Sequence, residues 1–120
     1  MQTVLICHND FGYLNKVQKA LEEKGFDVDS IENAADLVLT GIRLHPSVIV
    51  VNPDMKAFNE QGVCKHLIQE KGIQVILVID KHSTTRAMVG DCTIEDTVDV
   101  NTDLNALANL IKKHISVHQD

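Results

Sequence analysis

Polar side chains that could bind a metal ion or accept a phosphoryl group follow three apolar runs of the sequence. They are His8, Asn9 and Asp10 after residues 3–7, Asn52 and Asp54 after residues 48–51, and Asp80 after residues 75–79. Carboxylates and an imidazole can together hold a divalent cation, and a His or Asp side chain can attack phosphorus as a nucleophile. Either reaction requires that the runs bring these side chains to one place.

The composition indicates one acidic globular domain with an aliphatic core. The chain has 120 residues, which predicts a single domain over residues 1–120. It contains no tryptophan and few other aromatic residues, so valine, isoleucine, leucine and alanine must build the core. The net charge of −6 disfavours nucleic acid and anionic membranes as partners.

The cysteines and the N-terminal residues indicate the cellular compartment. No basic segment with a following apolar stretch opens the chain, and no apolar run is long enough to cross a membrane. Cys7, Cys64 and Cys92 are odd in number and form no C-x-x-C pair, which is typical of reduced thiols buried as small apolar residues. These features predict a cytoplasmic protein.

Short apolar runs alternate along the chain with stretches that have apolar residues three or four positions apart. The runs predict strands at residues 3–7, 26–30, 48–51, 75–79 and 97–100, and the stretches predict helices at 12–24, 34–44, 60–71, 84–90 and 103–117. Such alternation predicts an α/β fold, with a doubly wound parallel sheet covered by helices on both faces. The turn after the first strand has no G-x-G-x-x-G and no Walker A pattern, which argues against a nucleotide site.

Three segments resemble the receiver domain of bacterial two-component response regulators. The segment "TVLICHND…LNKVQKALEEKGFDV" is similar to the family's first strand and helix, "PSVIVVNPDM" to its third strand and phosphoacceptor loop, and "IQVILVID" to its fourth strand. The resemblance spans essentially the whole chain. It implies a flavodoxin-like (CheY-like) fold with five parallel strands in the order 2-1-3-4-5.

The residues on which the family's chemistry depends are absent at the matching positions. By resemblance, the acidic pair falls on His8 and Asn9, and the phosphoacceptor aspartate falls on Asn52. The Ser/Thr position falls on Ile79 or Asp80, and the lysine position falls near Val100. The resemblance therefore implies a degenerate receiver, or pseudo-receiver.

The chemistry of the residues agrees with this interpretation. An amide offers no charged oxygen nucleophile for phosphoryl transfer, and Mg²⁺ prefers carboxylate oxygens to an imidazole and an amide. We therefore expect a signalling module of a two-component or phosphorelay system that is not an enzyme, uses no cofactor and acts by protein–protein interaction. By resemblance, the partner or homodimer face is formed by the fourth helix, the fifth strand and the last helix.

The predicted fourth helix gives some support for that face. Its sequence, "TTRAMVGDC", has no clean amphipathic stripe and leaves some of Met88, Val89 and Ile94 exposed. A partner could cover such a helix, although a short surface helix without a role explains the pattern equally well.

Other roles for these residues remain open. His8 or Asp54 could accept a phosphoryl group in a phosphorelay, or His8 could instead be a polar loop residue that caps backbone groups. Asp10, Asp54 and Asp80 could form an acidic rim that binds a divalent metal or a small molecule, or could be solvated and N-capping groups. Cys7 must point to the opposite face of the sheet from His8, and is expected in the core.

Overall fold

The computed structural model describes residues 3–53, 55, 64–79, 88–89, 92–93 and 97–117. The strands are β1 Thr3–Cys7, β2 Asp27–Ile31, β3 Val48–Val51, β4 Gln74–Ile79, β5 Met88–Val89, β6 Cys92–Thr93 and β7 Thr97–Asp99. The helices are α1 Phe11–Glu23, α2 Leu37–Leu44 and α3 Leu104–Val117, with a 3₁₀ turn at Ala34–Asp36 and a π-helical segment at Cys64–Gln69.

Five strands form one parallel sheet in the order β2-β1-β3-β4-β7. Strand β1, the second in this order, pairs with β2 on one side and with the central strand β3 on the other, and Cys7 is in register with Val51. Strand β4 then pairs with β3 and β7, also in parallel. Because β7 is the fifth strand of this sheet, the structure confirms the predicted α/β flavodoxin-like fold and its strand order.

Side chains alternate between two apolar clusters, one on each face of the sheet. Even-numbered residues of β1 and β3, such as Ile6 and Val50, pack with α1 and α3. Odd-numbered residues, such as Leu5 and Ile49, pack with α2 and the π-helical segment. All four residues of β3 are buried, as expected for a strand covered on both faces.

Local signals in the sequence set the limits of the first two helices. The Asp10 side chain accepts a hydrogen bond from the backbone N–H of Tyr13 and so caps α1. Gly25, two residues after this helix ends, has φ +93°, a conformation that favours glycine. The Asn33 side chain caps the 3₁₀ turn before α2, where it accepts a hydrogen bond from the Ala35 N–H at 2.8 Å.

The prediction of a helix at residues 84–90 is wrong where the structure describes that segment. Met88 and Val89 form strand β5, which pairs antiparallel with β6 in a separate two-stranded sheet. Val89 lies opposite Cys92, so two residues separate the paired positions, and they are Gly90 and Asp91 in the sequence. A Gly-Asp pair between β-forming residues is a hairpin signal that outweighs a weak helical pattern.

The other boundaries differ from prediction by small amounts. The second helix begins with the 3₁₀ turn, and the fifth strand of the sheet ends at Asp99 instead of Val100. Of the helix predicted at 60–71, the described part is the π-helical segment, and residues 60–63 lie outside the described residues. No helix within the described ranges is both long and apolar enough to cross a membrane.

His45 ends α2 in the left-handed conformation, with φ 44° and ψ 59°. Its N–H donates to the Gly41 carbonyl at 2.9 Å, which closes the last helical turn. The left-handed conformation costs an L-residue about 1–2 kcal/mol, a cost that glycine does not bear.

We expect His45→Gly to raise the free energy of unfolding by about 0.5–1 kcal/mol, because removing the strain outweighs the greater entropy of the unfolded glycine chain. Urea denaturation measures this change. His45→Ala is the control, since alanine keeps the strained conformation. A gain as large for alanine as for glycine would show that the imidazole, and not the backbone, is unfavourable.

Candidate functional site at the carboxyl edge of the sheet

The ends of β1 and β3 bring Asn9 and Asn52 together. The Asn52 side-chain Nδ2 donates to Oδ1 of Asn9 at 3.1 Å, and the Asn52 backbone N–H donates to the Cys7 carbonyl. Because the strands are parallel and in register, the residues after them meet at one edge. The residues that follow β1 and β3 therefore lie side by side, and a direct amide–amide hydrogen bond joins Asn9 and Asn52.

His8 is buried at the same edge, with 6% of its surface exposed. Its Nδ1 accepts a hydrogen bond from the Asp10 N–H at 2.9 Å. Its ring lies 4.7 Å from that of Tyr13, tilted by 42°. His8 therefore caps a backbone group in the turn before α1, which is one of the two roles left open by the sequence.

Cys7 lies on the other face of the sheet, as predicted. Its thiol is buried and contacts the Met55 sulfur at 3.7 Å. Burial raises the pKa of this thiol to about 12, which leaves almost no thiolate at neutral pH. Cys7 is a core residue and does not form a nucleophilic pair with His8.

Two residues of this edge, Tyr13 and Asp99, were not among those predicted from the sequence. The Tyr13 hydroxyl is buried and has no hydrogen-bond partner among the described residues. Desolvation, with a smaller contribution from the Asp99 carboxylate, raises the pKa of Tyr13 to about 12. Extending the apolar stripe of α1 from Val17 back by one turn would have identified Tyr13.

Tyr13 is the single tyrosine of a chain without tryptophan, so its ionisation can be followed directly by ultraviolet absorbance. We expect a midpoint near 12 in the folded protein, against the ordinary pKa of 10.0 in the unfolded chain. The raised pKa stabilises the folded state, because the unfolded state loses its proton first. This contribution to the free energy of unfolding is complete below pH 10 and disappears as the pH rises towards 12.

The Asp99→Asn variant tests the electrostatic part of that shift. The pKa of Tyr13 is expected to fall, yet to stay above its ordinary value because burial remains. Asp29→Asn, which removes an exposed carboxylate on the edge strand β2, is the matched control and should leave the pKa of Tyr13 unchanged. An ordinary pKa in the parent protein would show that Tyr13 is open to water.

The remaining residues predicted for this edge are only partly described. Val100 donates its N–H to the Ile79 carbonyl at 2.8 Å, and its side chain packs on the cluster that contains α1 and α3. Asp10 caps α1. Asp54 and Asp80 lie outside the described residues, so the acidic rim predicted from Asp10, Asp54 and Asp80 stays a prediction.

The described part of this edge holds two amides and one imidazole, those of Asn9, Asn52 and His8, together with the carboxylates of Asp10 and Asp99. Within the described ranges, no three His, Cys, Asp or Glu side chains are grouped closely enough to hold a metal ion. His8, Asn9 and Asn52 do not fit Mg²⁺, because this cation binds through carboxylate oxygens in octahedral geometry. These three side chains carry no anionic oxygen, and each takes part in a hydrogen bond.

Comparison with solved structures agrees with this topology. A response regulator from Desulfuromonas acetoxidans is similar with a TM-score of 0.82 and 19% identity, over 98% of this chain and 99% of that one. The chain has the receiver fold. A two-component response regulator from Clostridium difficile shares the receiver fold at a TM-score of 0.83 and 15% identity, with both chains covered completely.

The receiver fold also occurs inside a protein of a different class. The lysine decarboxylase LdcF of Francisella novicida is similar over 97% of this chain but only 17% of its own, with a TM-score of 0.72 and 13% identity. No protein-family model matches this sequence, and no curated protein does. At such identities the likeness is one of fold, and one fold hosts many functions.

Proposed function

We propose that this receiver-fold chain is a signalling module of a two-component or phosphorelay system, and that it binds a protein partner without being phosphorylated at Asn52. The observation that carries the proposal is the hydrogen bond between Asn52 and Asn9. The two hydrogen-bonded amides are neutral, and they lie where the family resemblance places a phosphoacceptor and one of its metal-binding acids. The module is thus a pseudo-receiver.

The proposal is supported by the positions that surround the amide pair. His8 uses its Nδ1 as a hydrogen-bond acceptor, and Val100 packs its aliphatic side chain on the core. Neither residue can replace the carboxylate or lysine that the family uses at these positions, since one has no anionic oxygen and the other no positive charge. A phosphoryl group would also meet the negative charge of Asp99 near this edge.

The similar structures support a role in signalling. They are a response regulator and a two-component response regulator. We infer that this chain likewise acts through a protein partner, is not an enzyme, and works in the cytoplasm without nucleic acid, membrane or cofactor. The proposed partner face is formed by residues 84–90, β7 and α3, although Met88 and Val89 within it belong to a strand and not to the predicted helix.

The alternative of phosphoryl acceptance applies to His8 or Asp54. For His8, transfer to Nδ1 would break the bond from the Asp10 N–H, and 6% exposure limits access of a phosphodonor. These observations favour the capping role of His8 over the nucleophilic one. Asp54 lies outside the described residues. The incubation with acetyl phosphate described next tests Asp54 as well as His8.

Incubation with acetyl phosphate and Mg²⁺, followed by intact mass measurement, tests the proposal. We expect no phosphate adduct, because no described residue at this edge combines an anionic nucleophile with a metal site. A stoichiometric adduct would contradict the proposal, and its stability in acid or base would distinguish phosphoaspartate from phosphohistidine. His8→Gln, which keeps a polar side chain, and Asp54→Asn would then locate the acceptor.

A second measurement tests the interaction itself. Cross-linking in the native cell, followed by mass spectrometry, identifies the partner, and titration with the purified partner gives the affinity. We expect this affinity to be the same for the parent and for Asn52→Ala, with or without acetyl phosphate. An affinity that changes on phosphodonor treatment would show that the module is still switched by phosphorylation.

A further inference from the structure

The outward face of α2 exposes apolar side chains that a soluble helix normally buries. Leu39 is 72% exposed and Ile42 is 40% exposed, and both are among the few large apolar side chains that reach the surface of the described structure. They lie next to each other on the side of α2 that faces away from the sheet. Adjacent exposed apolar residues of this kind often mark a contact surface.

The same face carries opposite charges at its two ends. Asp36 comes directly before α2, Arg43 lies in its last turn, and both are exposed. In the part of the chain that the structure describes, neither forms an ion pair. Arg43 comes seven residues after Asp36, which is at the end of the 3₁₀ turn. The exposed Leu39 and the buried Thr40 are midway between them in the chain.

A shallow cleft adjoins this face. It has a volume of about 350 Å³ and is lined by Ile31, Asp36, Leu39, Thr40 and Arg43. Its apolar wall is formed by Ile31, at the end of the edge strand β2, and by Leu39. The cleft could therefore receive an apolar side chain from another molecule, with the two charges at its sides.

We propose that this face, defined by Asp36, Leu39, Ile42 and Arg43, binds the same face of a second copy of the chain. A two-fold axis through the middle of α2 would place the helices antiparallel, so that each Asp36 meets the Arg43 of the other copy. The Leu39 side chains then meet near the axis, each beside the cleft of the other copy. Such an isologous contact requires the patch to complement itself.

The charge arrangement favours a second copy over an unrelated partner. An acid and a base equidistant from the centre of one helix face form two ion pairs when that face meets itself in antiparallel orientation. The contact involves a short helix and one strand end, and interfaces below about 1,200 Å² associate weakly. The dimer is therefore expected to be reversible, and it leaves β7 and α3 free for the partner proposed above, on which this inference does not depend.

Analytical ultracentrifugation of the full chain at concentrations up to about 1 mM tests the proposal, since weak interfaces populate only in this range. The parent is expected to dimerise, and Leu39→Asp to stay monomeric. Leu39→Ser is a milder variant that should weaken the dimer in the same direction. Phe11→Asp, which alters another apolar side chain exposed by 56%, is the matched control and should dimerise like the parent.

Charge reversal distinguishes the two-fold arrangement from other contacts. Asp36→Arg and Arg43→Asp should each weaken the homodimer by at least about tenfold, because each places like charges together twice. An equimolar mixture of the two variants restores both ion pairs and should form a heterodimer as readily as the parent forms its homodimer. Circular dichroism confirms that each variant is folded.

Three results would overturn this inference. A parent protein that stays monomeric throughout the concentration range has no such interface. Dissociation by Phe11→Asp and not by Leu39→Asp would place the contact on another surface. A mixture of the charge-reversed variants that associates no better than either variant alone would exclude the antiparallel two-fold contact.

Discussion

Leu67→Ala is expected to lower the free energy of unfolding by about 2–5 kcal/mol, the usual range for truncating a fully buried leucine. Leu67 has no exposed surface, and its side chain lies beside Gly41 of α2. A Cβ atom placed on Gly41 would lie 2.9 Å from Cδ2 of Leu67 and 3.5 Å from Cδ1 of Ile49. Alanine at this position, in the middle of α2, would therefore require the Leu67 side chain to shift.

The same contact predicts that the effect of Gly41→Ala on the free energy of unfolding changes sign when Leu67 is replaced by alanine. Alanine favours a helix over glycine by about 1 kcal/mol, whereas overpacking a rigid core costs about 1–3 kcal/mol. In the parent the substitution is expected to be destabilising. In the Leu67→Ala background the new methyl group enters the cavity, and the substitution is expected to be stabilising.

A double-mutant cycle from urea denaturation measures this coupling. Leu39→Ala serves as the matched control, since it truncates a leucine that is 72% exposed and should change the free energy of unfolding by less than about 0.5 kcal/mol. Equal effects of Gly41→Ala in the two backgrounds would show that Leu67 moves aside without cost. The close approach would then have no energetic role.

The variant His8→Asp/Asn9→Asp/Asn52→Asp is expected to gain a Mg²⁺-dependent rise in thermal stability that the parent lacks. Without the metal, three carboxylates at one edge repel each other, one of them in a buried position, so this variant should be less stable than the parent. A ligand that binds only the folded state stabilises it by about 2.7 kcal/mol at a hundredfold excess over its Kd.

Thermal unfolding with and without MgCl₂, at constant ionic strength, measures this difference. The matched control is His8→Asn/Asn9→Gln, which alters the same edge without adding charge and should not respond to Mg²⁺. A parent protein that gains as much stability as the three-acid variant would contradict the proposal that this edge no longer binds magnesium. A variant that fails to respond would show that charge alone does not restore the site.

Much of the fold could be predicted because a strand that is buried on both faces of the sheet has an uninterrupted apolar sequence. Val48 to Val51 form an uninterrupted apolar run, and each of these side chains is buried. The hairpin at Met88 was missed because a stretch of mixed polarity was assigned by its place in the alternation of strands and helices. The local turn signal of Gly90 and Asp91 pointed to a different structure.

The site was predictable in position and only partly in detail. Parallel strands end at one edge, so the meeting of Asn9 and Asn52 follows from topology. The roles of Tyr13 and Asp99 do not follow, because they depend on how closely the first turn of α1 approaches the end of β7. Sequence spacing carries no information on that distance between elements far apart in the chain.

The place of β1 between β2 and β3 has a consequence for synthesis of the protein. Strand β1 precedes both of its neighbours in the chain, and residues 48–51 of β3 are translated well after β2, its first pairing partner. At a translation rate of about 5–20 residues per second, the step from Ile31 to Val51 lasts about 1–4 s. During that interval the nascent chain presents an open apolar strand edge, so chaperone capture and slow codons between these residues would govern how much of it reaches the native state.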